Sequence, residues 1–157
     1  MLIVSLLCLG SDVGAAQPVA DPFRFFEGVT ESVGTLKVIM RKPMHTRSIG
    51  RGEIRPDGAL SLLQRVEDEG RSPYLRRWLI KQVGPRHFIG TMSEATGAVT
   101  VDEIGDRFRF RFRMGGSLSV EQWLTPLPGG RLAMSDMTAR KYGIPVASAQ
   151  GFVRKIS

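Results

Sequence analysis

The chain has few side chains that could cross-link it or bind a metal. Its 157 residues include one cysteine and two histidines. A single cysteine cannot form an internal disulfide, which excludes the class of small disulfide-stapled proteins. The histidines, His45 and His87, lie far apart in the sequence and lack the spacing of a metal-binding pair. We therefore expect no metal site and no bound cofactor.

Long apolar runs are also scarce. The first ten residues, MLIVSLLCLG, are apolar or small, but a transmembrane helix needs about twenty apolar residues. Small residues (VGAA) follow shortly after, which is typical of a secretory signal peptide with Cys8 in its apolar core. The usual basic start is missing, since the first basic residue is Arg24. We predict a signal peptide over residues 1–20, export to the periplasm, and one domain over residues 21–157.

Positive charge is what the chain has in excess. Its 22 Lys and Arg against 15 Asp and Glu give a net charge of +7, which bears on anionic partners and not on the fold. Part of this charge lies in residues 107–114, RFRFRFRM, whose strict alternation predicts a β-strand with arginines on one face and phenylalanines on the other. Stacking rings and phosphate-binding charges would then lie on opposite faces, so we expect no specific nucleic-acid site.

Turn signals that combine Gly with Pro or Asp recur at short, even spacing. The segments between them predict ten strands at residues 35–41, 47–55, 59–67, 74–83, 86–93, 99–103, 107–114, 117–124, 131–141 and 144–155. Short connections favour antiparallel neighbours, and a sheet of this size tends to close. We therefore predict an all-β, antiparallel, up-and-down barrel of about ten strands. A short helical turn at residues 21–28, DPFRFFEG, would place three phenylalanines as a plug in one mouth of the barrel.

The hairpin after residues 107–114 allows two registers. A two-residue loop would place Phe110 opposite Glu121 and would mix the apolar and polar faces. A three-residue loop at residues 114–116 would instead pair Phe110 with Val120 and Arg109 with Glu121. We predict the second register, because it keeps like side chains on the same face.

Several short motifs resemble those of one bacterial family. They are Phe25-Phe26-Glu27-Gly28, Gly34-Thr35-Leu36, Arg77-Trp78-Leu79-Ile80, Gly90-Thr91, Glu121-Gln122-Trp123-Leu124 and Lys141-Tyr142-Gly143. With them the chain resembles an uncharacterised bacterial family of exported proteins and lipoproteins with a lipocalin-like (calycin) barrel. The resemblance covers nearly all of residues 21–157 and implies that fold and export, but it implies no activity. The Gly-x-Trp motif of the first strand and the disulfides of many lipocalins are lacking.

Two orientations of strand 107–114 remain open at this point. With the phenylalanines inside, the barrel has a filled core or an apolar pocket, and the arginines are solvated. With the arginines inside, Arg109, Arg111, Glu121 and Trp123 would line a polar cavity able to hold an acidic head group. Four arginines against one glutamate would be poorly paired if buried, which favours the first orientation. The candidate ligand-binding residues are these four and Trp78.

Three functions compete. The first is a carrier barrel for a small amphipathic or anionic lipid-like ligand, because the mouth of a barrel is a favoured binding pocket. The alternative is a solid-core structural or interaction protein that docks on an anionic membrane surface through its arginine face. The third is an enzyme, but the sequence has no nucleophile elbow, phosphate loop or dinucleotide fingerprint. We predict the ligand-binding barrel and expect no enzymatic activity.

Overall fold

One short helix and ten antiparallel strands make up residues 22–157, the part of the chain that the computed structural model describes. The elements are α1 (Pro22–Phe26), β1 (Gly28–Val38), β2 (Met44–Ile54), β3 (Leu60–Asp68), β4 (Tyr74–Gly84), β5 (His87–Met92), β6 (Val99–Ile104), β7 (Arg107–Met114), β8 (Leu118–Pro126), β9 (Leu132–Lys141) and β10 (Ile144–Lys155). The predicted signal peptide, residues 1–20, lies outside the described residues. Within residues 22–157, no helix is long and apolar enough to cross a membrane.

The strands form a closed up-and-down barrel. Each strand pairs with the next one along the chain, and β1 pairs with β10 to complete the ring. The predicted ten-strand antiparallel barrel is therefore confirmed. Short turns bring consecutive strands side by side, and closure leaves no strand edge unpaired.

The first strand is longer than the sequence pattern indicated. It begins at Gly28 instead of residue 35, because β2 and β10 pair with its polar first half. It ends at Val38, so Met40, which the predicted strand 35–41 included, lies in the following turn. There Met40 has a φ of 61° and is fully exposed.

The predicted register of the β7–β8 hairpin is wrong by two residues. Phe110 pairs with Gln122 instead of Val120, and Met114 pairs with Leu118. The loop is residues 115–117, and its last two residues have φ values of 77° and 63°. A shift of two residues leaves every side chain on its predicted face, so face matching alone could not distinguish the two registers.

The phenylalanine face of β7 points into the barrel, which settles the orientation that the sequence left open. Phe108, Phe110 and Phe112 are buried, and the arginines of β7 lie on the outer face. The indole of Trp78 packs edge-on against Phe110 and Phe112, with ring centroids 6.2 and 5.7 Å apart. Aromatic packing of this kind stabilises the core beyond the area that it buries.

Helix α1 closes one end of the barrel, as its three phenylalanines predicted. Phe23 and Phe25 are buried, and the ring of Phe23 lies 5.1 Å from that of Phe88. The Lys155 ammonium donates a hydrogen bond to the carbonyl oxygen of Arg24 at 2.8 Å. This bond fastens the end of β10 to the plug and satisfies a helix carbonyl that has no partner within so short a helix.

Gly52 marks the closest approach of α1 to β2. A Cβ atom at this position would overlap the carbonyl oxygen of Phe26. We predict that Gly52→Ala lowers the free energy of unfolding by about 2 kcal/mol, because the plug must shift. Gly84→Ala is the matched control, since the new Cβ would have its nearest neighbour at 3.9 Å. If urea unfolding showed that both variants lose the same free energy of unfolding, the close approach of α1 to Gly52 would be contradicted.

Candidate ligand-binding site

The barrel interior contains a cavity with two adjoining sections. The inner section, of about 60 Å³, lies next to α1. The outer section, of about 200 Å³, lies toward the opposite end, which we call the mouth. Both sections are lined by Ser32, Gln64, Trp78, Gln122 and Val153. The interior is therefore hollow along part of its length.

The hollow lies against one wall of the barrel because that wall has small side chains. The interior positions of β1, β2, β9 and β10 that line or border the cavity include Ser32, Gly34, Ser48, Gly50, Ser135, Ala149 and Gly151. The opposite wall, from β3 to β8, supplies Trp78, Phe88 and Phe110. Large residues on one side and small residues on the other leave space that the core does not fill.

The inner section is apolar. Phe23 and Phe26 of the plug face Leu60, Ile80 and Phe88 from the strands. Such a surface can bind a hydrocarbon group, and the polar side chains of this section, Ser32, Gln64 and Gln122, are ones that it shares with the outer section.

Two glutamines place polar groups halfway along the cavity. The Trp78 indole N–H donates to Gln64 Oε1 at 2.7 Å, and Gln122 Nε2 donates to Ser135 Oγ at 2.9 Å. The remaining amide atoms, Gln64 Nε2 and Gln122 Oε1, have no hydrogen-bond partner among residues 22–157. They leave one donor and one acceptor available to a bound molecule.

A charged network lies at the mouth. The Arg76 guanidinium donates two hydrogen bonds to the Glu94 carboxylate, both at 3.0 Å, and a third to Tyr74 Oη at 3.2 Å. The Tyr74 hydroxyl donates to Asp68 at 3.1 Å, and Thr46 Oγ1 donates to the other oxygen of that carboxylate at 2.6 Å. The bidentate pair fixes both side chains in one geometry.

The environment keeps both central groups of this network in their ordinary protonation states. Burial raises the pKa of Tyr74, the nearby Arg76 opposes this change, and the Asp68 carboxylate adds to it. Burial alone would lower the pKa of Arg76, but its bonds to Glu94 and the nearby negative charges outweigh burial and raise it. Tyr74 is therefore a neutral donor and Arg76 a cation at neutral pH.

Four of the five predicted site residues lie outside the barrel. Arg109 pairs with Trp123 and Arg111 with Glu121, whereas the predicted register placed Arg109 opposite Glu121. All four belong to the outer face, because the phenylalanines that alternate with the arginines occupy the inside. They do not line the cavity, and a role for them in binding stays a prediction. Trp78 alone of the five lines both sections of the cavity.

The outer arginines are largely engaged with neighbouring side chains. The Asp102 carboxylate lies 2.7 Å from His87 Nδ1, 3.4 Å from Arg109 and 3.3 Å from Arg111. The Arg107 guanidinium lies 4.1 Å from the ring centroid of Trp123, a cation–π contact. The Asp102 carboxylate therefore offsets part of the positive charge of this surface.

Sequence reasoning missed Tyr74 and Arg76, although a signal for them was present. They alternate with Trp78 and Ile80 along β4, so all four side chains share a face. The described residues bring no three His, Cys, Asp or Glu side chains together in a group that could hold a metal ion.

Asp102 provides a test of the polar contacts on the outer face, which join it to His87, Arg109 and Arg111. Burial alone would raise its pKa, but hydrogen bonds from His87 and Arg109 and the charge of Arg111 outweigh burial and lower it. A carboxylate whose pKa is lower in the folded protein than in the unfolded chain stabilises the fold fully at pH values above the unfolded pKa, about 3.9. That stabilisation is lost as pH falls through the folded pKa. We predict that Asp102→Asn lowers the free energy of unfolding by about 0.5–1 kcal/mol at neutral pH.

The difference between wild type and Asp102→Asn should begin to shrink below about pH 4, where the unfolded chain takes up its proton, and should vanish once pH falls below the lowered pKa of the folded carboxylate. Urea unfolding at a series of pH values measures it. A double-mutant cycle with Arg109→Gln should assign part of the difference to that pair. A difference that stays constant down to low pH would contradict this account.

No family model and no curated protein sequence matches the chain. Among solved structures, the barrel is similar to the S-type phycobiliprotein lyase CPES from Guillardia theta, with a TM-score of 0.67. The match covers 86% of this chain and 90% of that chain at 9% sequence identity. At this identity the likeness shows the fold alone.

This comparison corrects one expectation. We expected no enzymatic activity because the sequence lacks a recognisable catalytic motif, but a barrel of the same fold belongs to a protein named as a lyase. The absence of a motif was therefore the wrong ground for excluding an enzyme. The chain has the lipocalin-like fold, a closed ten-strand antiparallel barrel with one short helix and an internal cavity.

Proposed function

We propose that the barrel binds a slender, single-chain amphipathic molecule of lipid-like chemistry. Its hydrocarbon end would occupy the inner section, and its polar group would lie near Gln64 and Gln122. The observation that carries this proposal is the gradient along the cavity, from an apolar inner end to a polar middle and a charged mouth. An amphipathic molecule matches such a gradient in one orientation only.

The size of the cavity favours a narrow ligand. Pockets for drug-sized molecules usually measure about 300–1,000 Å³. The two sections, at about 60 and 200 Å³, are smaller and lie one behind the other. A single hydrocarbon chain fits this shape better than a broad ring system.

The charges at the mouth favour a neutral polar head over an acidic one. Arg76 and Asp68 are the charged side chains among the described residues that line the cavity. Arg76 is neutralised by Glu94, so an acidic head would face the carboxylate of Asp68. The expected anionic head depended on Arg109 and Arg111 facing inward, and it loses that support. A hydroxyl or amide head can bond to the free groups of Gln64 and Gln122.

Titration with a long-chain fatty alcohol and the fatty acid of equal length tests this preference. We expect the alcohol to bind about tenfold more tightly at neutral pH, a difference of about 1.4 kcal/mol. Calorimetry should show a negative heat-capacity change, because apolar surface is buried. Asp68→Asn should narrow the difference between the two ligands. Tighter binding of the acid would contradict the neutral head.

A variant that fills the cavity tests the location. Ala149 lines the outer section, whereas its neighbour Ser148 lies on the outer face of β10. Ala149→Leu should lower the affinity for the alcohol at least about tenfold, and Ser148→Leu should leave it unchanged. Circular dichroism should show that both variants are folded. Equal affinities for the two variants would place the binding site outside the barrel.

We also propose export, on the basis of the apolar segment in residues 1–20. Mass spectrometry of the protein recovered from the periplasm of a bacterial host is the measurement. The mature chain should begin after Ala15 or Ala16. A chain that keeps Met1 and stays in the cytoplasm would contradict export.

A further inference from the structure

Two neighbouring hairpin turns at the mouth form one continuous surface. They are the turns between β1 and β2 and between β9 and β10, and they are adjacent because β1 pairs with β10. A backbone hydrogen bond of 3.0 Å from Ile39 N to Val146 O joins them. We call residues 39–42 and 141–144 the mouth rim.

The mouth rim exposes large apolar side chains to solvent. The exposed fractions are 101% for Met40, 81% for Tyr142, 65% for Ile144 and 59% for Ile39. These are the four most exposed large hydrophobic residues of the described chain. Single exposed apolar residues are ordinary, but four on two adjacent turns indicate an interaction site.

The backbone of the rim is held in a conformation that its tip residues disfavour. Met40 and Tyr142 have φ values of 61° and 50°. In this left-handed region a residue with a Cβ costs conformational energy, whereas glycine does not. Neither side chain is buried, so packing does not offset that cost. The same left-handed φ occurs at Arg86 and Ser117 in other hairpin turns, so the large, exposed apolar side chains of Met40 and Tyr142 are what distinguish the rim.

The two rim turns and the residues that flank them in the sequence carry charge of one sign. Residues 37–43 and 139–146 contain no Asp or Glu, and they supply Lys37, Arg41, Lys42, Arg140 and Lys141. None of these five forms a salt bridge with any residue in the described range. The outer arginines differ, since Arg109 and Arg111 share the Asp102 carboxylate. The rim therefore has uncompensated positive charge.

We propose that the mouth rim docks on the surface of an anionic phospholipid bilayer. Met40, Ile144 and Ile39 would enter the boundary between head groups and acyl chains, and Tyr142 would lie at head-group level. The five basic side chains would contact the anionic head groups. Exposed apolar side chains among basic residues that form no salt bridge within residues 22–157 match a charged lipid interface, which takes up both kinds of side chain.

Docking in this orientation would place the opening of the cavity against the lipid. Leu36 and Ala149 line the outer section and lie on the strands that lead into the two turns. Transfer of a ligand between bilayer and barrel rests on the function proposed above, but the docking itself does not. The two can therefore fail separately.

Vesicle co-sedimentation of the full chain tests the docking. We expect binding to vesicles of equimolar phosphatidylcholine and phosphatidylglycerol, weaker binding to phosphatidylcholine alone, and a loss of affinity as salt rises. The double variant Met40→Gly/Tyr142→Gly should bind at least about tenfold more weakly. Its thermal unfolding temperature should stay the same or rise, because glycine relieves the left-handed strain.

Matched variants at the plugged end act as controls. Arg41→Gln/Lys42→Gln should lose about fivefold in affinity for each charge removed, whereas Arg24→Gln/Arg86→Gln, with the same change in charge, should not. Val83→Ser/Ile104→Ser removes two exposed apolar side chains at the plugged end and should leave vesicle binding unchanged. Tyr142→Trp should add fluorescence that brominated lipids quench.

Three results would overturn the proposal. The first is that the glycine variant binds vesicles as tightly as wild type. The second is that the control and rim variants lose equal affinity for vesicles. The third is that sedimentation equilibrium shows a dimer that the rim variants abolish. Ligand titration without vesicles separates the two proposals. Rim variants should keep wild-type affinity for the fatty alcohol, and Ala149→Leu should keep wild-type affinity for vesicles.

Discussion

Closure of the barrel depends on the pairing of β1 with β10, and that pairing depends on two glycines. Gly34 and Gly151 are direct partners across the two strands. A Cβ on Gly151 would overlap the carbonyl oxygen of Val33, and a Cβ on Gly34 would lie 2.7 Å from the carbonyl oxygen of Gln150. Only residues without a side chain allow this approach. Without it the first and last strands would be free edges.

The same pair of glycines explains where the cavity lies. Neither residue projects a side chain inward, and the nearby interior positions are Ser32 and Ala149. The barrel wall where β1 meets β10 therefore has small side chains, while the opposite wall has aromatic rings. Closure also makes the two hairpin turns of the mouth rim neighbours. The barrel, its hollow and its rim thus share one structural cause.

Strict alternation made the fold predictable. Phe108, Phe110 and Phe112 specify both a strand and its inner face, and the turn signals separate ten strands. The start of β1 was missed because its first half is polar and depends on β2 and β10 for pairing. The β7–β8 register was missed because a shift of two residues preserves both faces.

The site was harder to predict because its charges are paired by distant parts of the chain. Arg109 and Arg111 attracted notice as part of a row of arginines, yet they lie outside and share Asp102. Arg76 is tolerated inside the mouth because Glu94, from the turn after β5, reaches it with two hydrogen bonds. Nothing in the sequence of β4 itself indicates that Arg76 has Glu94 as its partner.

The outer section of the cavity and the mouth rim both reduce stability, and both lie toward the open end of the barrel. Filling a hollow with larger side chains normally gains packing energy, and glycine would relieve the left-handed turns at Met40 and Tyr142. At the plugged end, α1 packs its phenylalanines against the strands and Lys155 fastens it, and the left-handed residue there, Arg86, carries a charged side chain instead of an exposed apolar one. The outer section of the cavity and the exposed apolar side chains of the mouth rim are the features that place both proposed contacts, with a ligand and with a bilayer, at the open end.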